Sequence, residues 1–254
     1  MRFKDVFSII GPAMVGPSSS HTAGAARIGR AARHLYGRDR LPAKAEIVLY
    51  GSFADTYKGH GTDMAIVGGL LDFATDDERL PRAQDIARMR GMDVAFIPGK
   101  GLHPHPNTAT IRLYAPLAEN TGAAAESDEQ TIRLGTDEES SPVTPKPEPS
   151  LVMTGTSIGG GNIEVVSVNG FNVRFSGVYP ALVITHNDSP GVIADITQIL
   201  KREWVNIGYM SVDRKSRAGD AMMVLELDAM IPESLIEELA GFPSIREIRS
   251  VELS

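Results

Sequence analysis

No cysteine occurs among the 254 residues. Disulfides and cysteine nucleophiles are thereby excluded, and the absence speaks against a thiolate-ligated metal cluster on this chain. Positive charge is also in deficit. Lys and Arg number 25 against 32 Asp and Glu, a net charge of −7, where a nucleic-acid binder usually carries a basic footprint. No apolar run reaches membrane-spanning length. The opening Met1-Arg2-Phe3-Lys4-Asp5 has no apolar core ahead of a cleavage site. The expectation is a cytoplasmic protein with no membrane or nucleic-acid partner. An apolar fraction of 42% and 25 glycines fit a soluble α/β chain, long enough for one large or two ordinary domains.

The stretch richest in chemistry is Gly16-Pro17-Ser18-Ser19-Ser20-His21-Thr22. Gly-Pro signals a turn, and Ser and Thr are favoured helix N-caps. Behind them Ile28, Ala31, Ala32 and Leu35 keep i, i+3, i+4, i+7 spacing, and Gly37 stands where a helix-stopping glycine belongs. The spacing predicts a helix over 20–36 with the hydroxyls and His21 at its N-terminus. Free N–H groups and the positive end of the helix dipole suit that place to a small carboxylate. Plain N-capping is the competing reading, because one hydroxyl already suffices for a cap.

Further along, Glu46–Tyr50 reads as a strand ending at Gly51. Gly59-His60-Gly61-Thr62-Asp63 then opens a buried helix, 64–71, capped by Thr62 or Asp63. Gly68-Gly69 inside that helix lowers its propensity and points to close backbone packing. Pro81 starts a helix that Gly91 stops, and Asp93–Ile97 is a strand. His103-Pro104-His105-Pro106-Asn107-Thr108 follows, with both histidines held extended by the prolines after them, and 110–114 alternates as a strand. Residues 118–150 turn acidic and proline-rich and read as a mobile insertion, with a short strand at 131–134. Ser157 precedes a Gly159-Gly160-Gly161 turn, and Asn169-Gly170 between 164–168 and 171–175 carries a hairpin signature.

From Tyr179 the pattern is strand 181–185, a helix with Ile193, Ile196 and Leu200 on one face, strands 205–212 and 221–227, a helix opened by Pro232, and a strand from Ile245 to Leu253. The order βαββαβ is ferredoxin-like. The overall expectation is an α/β (α+β) chain: a mixed α/β unit over 1–177 and a ferredoxin-like unit over 178–254.

His21, His60 and His105 sit in loops rich in Gly, Pro, Ser and Thr, and their ordinary pKa lies close enough to neutrality for acid–base work. Any one alone reads as an ordinary exposed histidine, while three such loops suggest a shared polar pocket. A three-histidine zinc hydrolase is a competing reading, although no His-Glu-x-x-His pair is present. So is a regulator with no chemistry of its own.

Four motifs in order resemble the bacterial iron–sulfur L-serine dehydratases: 16–22, 59–63, 103–108 and Ser157-Ile158-Gly159-Gly160-Gly161. The chain resembles the beta chain of the two-subunit form. Its C-terminal unit, with Asn187-Asp188-Ser189-Pro190-Gly191, is similar to an ACT domain. The resemblance implies deamination of L-serine to pyruvate and ammonia, with a 4Fe-4S cluster acting as Lewis acid. Lacking cysteine, this chain would rely on a cysteine-bearing alpha chain to ligate the cluster. It further implies His21, His60 and His105 as acid–base candidates and Ser18, Thr62, Asn107 and Ser157 as substrate contacts. His103 is assigned to the scaffold. Asn187, Asp188 and Gly191 would frame an amino-acid effector site, and the ACT unit would form a dimer.

Overall fold

A computed structural model describes residues 12–103, 105–116 and 147–253. The expected strand at 131–134 and the apolar stretch 3–10 lie outside the described residues.

The described chain builds two sheets. The first has the order β2-β1-β3-β4-β5. Its strands are β1 (Lys44–Tyr50), β2 (Asp93–Pro98), β3 (Thr108–Tyr114), β4 (Leu151–Gly159) and β5 (Asn162–Val168). Only β1 and β2 run parallel, and helices make the crossover between them. These are α2 (Ser52–Thr56), α3 (Thr62–Leu70) and α4 (Ala83–Met89), the last entered through a 3-10 turn at Leu80–Arg82. The five-residue α2 is too short to show a periodic pattern and was not expected.

The long N-terminal helix forms where expected, with one difference. Its first turn, Ser19–Gly24, is π-helical, and it runs on without a break into α1 (Ala25–Tyr36). Ile28, Ala31, Ala32 and Leu35 are buried as their spacing requires, but so is most of the helix. Alanines and glycines let neighbours close in on several sides. Gly69 of α3 shows how close: a Cβ there would lie 2.1 Å from the Ala26 carbonyl oxygen and 2.6 Å from the Arg30 nitrogen. Gly69, with Gly29 of α1 opposite it, therefore lets α1 and α3 pack backbone to backbone, while Gly68 makes room for the Leu80 side chain.

Two local expectations are corrected. Neither Thr62 nor Asp63 caps α3. Gly61 takes the cap position in the left-handed region, and the Asp63 carboxylate accepts from the adjacent Met64 N–H at 2.8 Å and from the Gln84 side-chain amide at 2.9 Å. The Asn169-Gly170 turn exists, but 171–175 is no strand. It makes two isolated bridges, Val168 with Phe171 and Val165 with Phe175. The true hairpin partner of β5 is β4, joined through Gly159-Gly160-Gly161. All three of those glycines have positive φ (95°, 62° and 76°), a run that side chains with a Cβ rarely adopt.

The second sheet has the order β7-β8-β6-β9, antiparallel throughout. It comprises β6 (Ala181–Asn187), β7 (Ile207–Arg214), β8 (Asp220–Leu227) and β9 (Ile245–Val251), with helices α5 (Val192–Arg202) and α6 (Glu233–Ala240). This is the expected ferredoxin-like arrangement. Leu182, Ile184, Met223 and Leu225 face α5 and α6. Val183, Met222, Val224, Val251 and Leu253 join the core of the first unit instead. Both faces of the second sheet are thus covered, and α1 lies against β9.

One polar cluster ties the two units. The His34 side chain, fully buried, takes the Glu252 N–H on Nδ1 at 3.1 Å and meets Asp72 Oδ1 through Nε2 at 2.8 Å. With Nδ1 accepting, the ring's proton sits on Nε2 and the ring is neutral. Burial lowers the His34 pKa, against the opposing pull of Asp72. Burial would raise the Asp72 carboxyl, but His34 and Arg30 outweigh it and hold the group well below the usual carboxylate range. Since the His34 ring is neutral, the charges that do this are the guanidinium groups of Arg30, at 3.2 Å, and Arg38, at 3.5 Å. Arg30 also donates to the Leu253 carbonyl at 3.3 Å.

Candidate active site

The π turn is the floor of the site. Ser18 is its N-cap: its hydroxyl accepts from the His21 N–H at 3.1 Å, and its carbonyl accepts from Thr22 at 2.8 Å and Ala23 at 3.4 Å. The capping role of Ser18 is therefore real, and its O–H hydrogen remains available as a donor. The N–H groups of Ser19 and Ser20 come before the first intrahelical bond, which leaves them facing out from the helix start.

His21 leaves this turn and meets three neighbours. Its Nε2 lies 3.1 Å from Ser52 Oγ on α2. Its ring meets Phe53 edge-on at 5.3 Å between centroids and His60 at 5.0 Å. Burial lowers the His21 pKa first, the adjacent His60 lowers it further, and a hydrogen bond with the Ser52 main chain opposes both. At neutral pH His21 is an uncharged imidazole able to take a proton. The Thr22 hydroxyl donates to the His60 carbonyl at 3.2 Å and so pins the 59–61 loop to the π turn. His60 itself is exposed.

The 103–108 loop arrives from the other side. Its Pro106 carbonyl accepts from the Phe53 N–H at 3.4 Å, next to Ser52. The half-buried His105 takes the Asn107 N–H on Nδ1 at 3.1 Å, which fixes the ring and leaves Nε2 as its outward nitrogen. The Asn107 carbonyl accepts from the Ser157 N–H at 2.9 Å. Ser157 in turn lies under the π turn: a Cβ on Gly24 would come within 2.1 Å of Ser157 Oγ. Arg27 donates to the Gly161 carbonyl at 3.0 Å and secures the glycine turn beside the same helix. His103 stacks on Tyr50 at 5.8 Å and bonds the Gly101 carbonyl through Nδ1 at 3.1 Å.

The structure thus brings His21 and His60 into ring contact and ties the loop of His105 to them through α2 and β4. Thr62 Oγ1, Asn107 Oδ1 and Ser157 Oγ are buried with no hydrogen-bond partner. Buried polar atoms are nearly always paired, by protein or by water or ligand. Three orphans flanking one π turn, itself a backbone form that recurs at functional sites, describe a surface built to receive a polar guest. Ser52, Thr22, Gly24 and Phe53 were missed in the sequence. Only the Gly51-Ser52 step at the end of β1 offered a signal, since functional residues gather on loops at strand ends.

The second expected site is differently occupied. Asp188 accepts from Arg214 at 2.9 Å and from the Ala218 N–H at 3.1 Å; these contacts, the Ala218 N–H foremost, lower its pKa. Asn187 accepts from Arg246 at 2.9 Å. Neither caps α5, a place taken by Gly191 at φ 97°. His186, buried at the end of β6, bonds the Asn187 carbonyl through Nδ1 at 2.8 Å and leaves Nε2 unpartnered.

The residues present do not fit an iron–sulfur cluster: the chain has no cysteine. Among the described residues no three His, Asp or Glu side chains gather closely enough to share a metal ion. No helix among the described residues is long and apolar enough to cross a membrane.

The family model described as serine dehydratase beta chain matches residues 3–89. The chain is 43% identical over 251 residues to a probable L-serine dehydratase beta chain of Bacillus subtilis (strain 168), covering 99% of each. It is 31% identical over 248 residues to the L-serine dehydratase beta chain of Peptoniphilus asaccharolyticus, covering 97% of each. A stretch of 104 residues, 41% of this chain, is 32% identical to D-3-phosphoglycerate dehydrogenase of Bacillus subtilis, covering 20% of that protein. That partial match fits the reading of the second unit as an ACT domain. The chain belongs to the serine dehydratase beta-chain family.

Proposed function

We propose that this chain is the beta subunit of an L-serine ammonia-lyase and supplies substrate-binding and acid–base groups to a site completed by an alpha chain. The observation that carries the reading is the His21–His60 ring contact on a π turn packed against α3 and β4, with orphaned oxygens on Thr62 of α3, on Ser157 of β4 and on Asn107, which is bonded to Ser157. The L-serine carboxylate sits at the start of the π turn, against the outward N–H groups and the Ser18 hydroxyl. Thr62, Asn107 and Ser157 orient its polar groups. An imidazole among His21, His60 and His105 takes the Cα proton. Loss of the β-hydroxyl as water leaves an aminoacrylate, which tautomerises and is hydrolysed to pyruvate and ammonia. We place the 4Fe-4S cluster on the cysteine-bearing alpha chain.

The half-open site has an apolar rim at the same end of the first sheet. Leu102 is fully exposed, and Ile158 and Ile97 are 48% and 40% exposed. We seat the alpha chain there, closing the site from solvent, in the cytoplasm. The 1–177 unit carries the chemistry and the 178–254 unit senses an amino acid near Asn187, Asp188 and Gly191, with L-serine the leading candidate. Binding there must displace Arg214 from Asp188. A second copy pairs along edge strand β7, where Tyr209, Met210 and Val212 are 38%, 46% and 42% exposed.

The test is reconstitution. The purified chain is expected to leave L-serine unchanged and to contain no stoichiometric iron. Mixed anaerobically with the alpha chain and a reconstituted cluster, it is expected to yield pyruvate. Full activity of the alpha chain alone would make this chain a regulator. Calorimetry of the whole chain with L-serine tests the sensor. Heat that survives Asp188→Ala would move the effector site elsewhere.

A further inference from the structure

We propose that Ser52 is a positioning residue for His21: its hydroxyl holds the imidazole by Nε2 and leaves Nδ1 as the nitrogen that exchanges a proton with the substrate. The inference rests on the pocket reading above and assigns a role to a residue outside the four sequence motifs.

The geometry is specific. Ser52 Oγ lies 3.1 Å from His21 Nε2, across 31 residues of chain. Ser52 is the first residue of α2, whose N-cap, Gly51, contributes no side-chain bond. The hydroxyl is therefore not engaged in holding its own helix. The helix is held by other means: Thr56 Oγ1 donates to the Ser52 carbonyl at 2.8 Å, and the Phe53 N–H donates to Pro106. The buried Phe53 ring blocks one side of His21, and the His60 ring stands on another. Ring contacts restrict where the imidazole lies, but they leave it free to turn over. The Ser52 hydrogen bond removes that freedom. Nδ1 makes no hydrogen bond among the described residues, so a fixed ring presents one defined nitrogen. A reacting group displaced by an ångström can lose on the order of a hundredfold in rate.

His60 is the titratable neighbour that lowers the His21 pKa, and a hydrogen bond with the Ser52 main chain, which Ser52→Ala leaves in place, opposes it. An Nε2–H donated to the Ser52 hydroxyl binds it more strongly when the ring is charged, so losing the hydroxyl and losing His60 move the His21 titration in opposite directions.

The experiment is histidine ring NMR on the whole chain, with His21 assigned by loss of its signal in His21→Ala. Ser52→Ala is expected to lower the His21 titration midpoint further below that of the wild type. Ser52→Thr, which keeps a hydroxyl, is expected to restore it. Alanine is a better helix former than serine, and circular dichroism should show both variants folded. In the reconstituted complex, Ser52→Ala should lower kcat on the order of a hundredfold. The acid limb of the pH profile should move in the same direction as the NMR midpoint, KM should change little, and Ser52→Thr should recover turnover. An unchanged His21 titration in Ser52→Ala, or a kcat loss that Ser52→Thr does not recover, would overturn the proposal. The titration is read in the chain alone. Turnover that survives His21→Ala would thus sink the catalytic consequence of Ser52, turnover that also survives His60→Ala and His105→Ala would sink the pocket reading, and the Ser52–His21 contact is judged separately by NMR.

Discussion

The Ser157 main-chain N–H donates to the Asn107 carbonyl oxygen at 2.9 Å, while the side-chain oxygens of both residues are buried without a partner. The backbone bond fixes two strands' ends against each other and holds two residues with unsatisfied side-chain oxygens side by side. An orphaned buried oxygen is a liability to the fold of about 1–3 kcal/mol, and such liabilities are kept where function needs them.

A trade-off between stability and activity follows. Ser157→Ala and Thr62→Val remove an orphaned hydroxyl with little change of shape. Each is expected to leave urea stability unchanged or to raise it by about 1 kcal/mol. In the reconstituted complex each should lose on the order of a hundredfold in turnover. Variants that instead lose stability and keep turnover would make these oxygens structural.

The contact between Gly24 and Ser157 gives a coupled pair. A Cβ at Gly24 would lie 2.1 Å from Ser157 Oγ and 2.8 Å from its Cβ. Gly24→Ala is expected to destabilise the chain by about 1–3 kcal/mol. Adding Ser157→Gly, which removes both obstructing atoms, should recover part of that loss in a double-mutant cycle. Additive losses in urea denaturation would show that the two residues do not press on each other.

Protonation should weaken the fold in two stages. His21 and His34 have pKa values below their ordinary 6.5, both through burial first. The unfolded chain therefore takes up protons before the folded one as pH falls, and stability declines from about 6.5 downward until the folded-state values are passed. Asp72 is held below its ordinary 3.8. Its contribution is complete above that value and is lost as pH falls from there through the folded-state value. Urea midpoints measured from pH 8 to pH 3 should show both declines. His34→Leu should remove part of the first, and Asp72→Asn the second. A midpoint that is flat from pH 7 to pH 5 would contradict the burial of both imidazoles.

Much of this was legible in the residues. The spacing of Ile28, Ala31, Ala32 and Leu35 located α1, and Ser18 before His21 marked its cap. The glycine pair at 68–69 announced close backbone packing, and Gly69 meets the backbone of Ala26 and Arg30, while Gly68 meets the Leu80 side chain. Other features depend on distant chain and left no local trace. Thr62 looked like a cap, but Gly61 in the left-handed region ends the loop first. Asn169-Gly170 promised a hairpin, but β5 already pairs with β4, so the arm after the turn finds only two bridges. The apolar runs of β6 and β8 marked strands without saying that one face would be covered by the first unit, through Val183, Met222 and Val224. The same holds within the site. The motifs named His21 and His60, but their 5.0 Å approach and the Ser52 contact are tertiary facts.

The most direct measurement is pyruvate release from L-serine by this chain combined with the cluster-bearing alpha chain, wild type against His60→Ala. His60 is exposed and touches the structure through its ring contact with His21 and its backbone, so the variant should fold and still associate with the alpha chain in sedimentation. Turnover is expected to fall by about a hundredfold or more, with the same test applied to His21→Ala and His105→Ala. Full turnover in all three variants would show that the histidine loops of this chain take no part in the reaction.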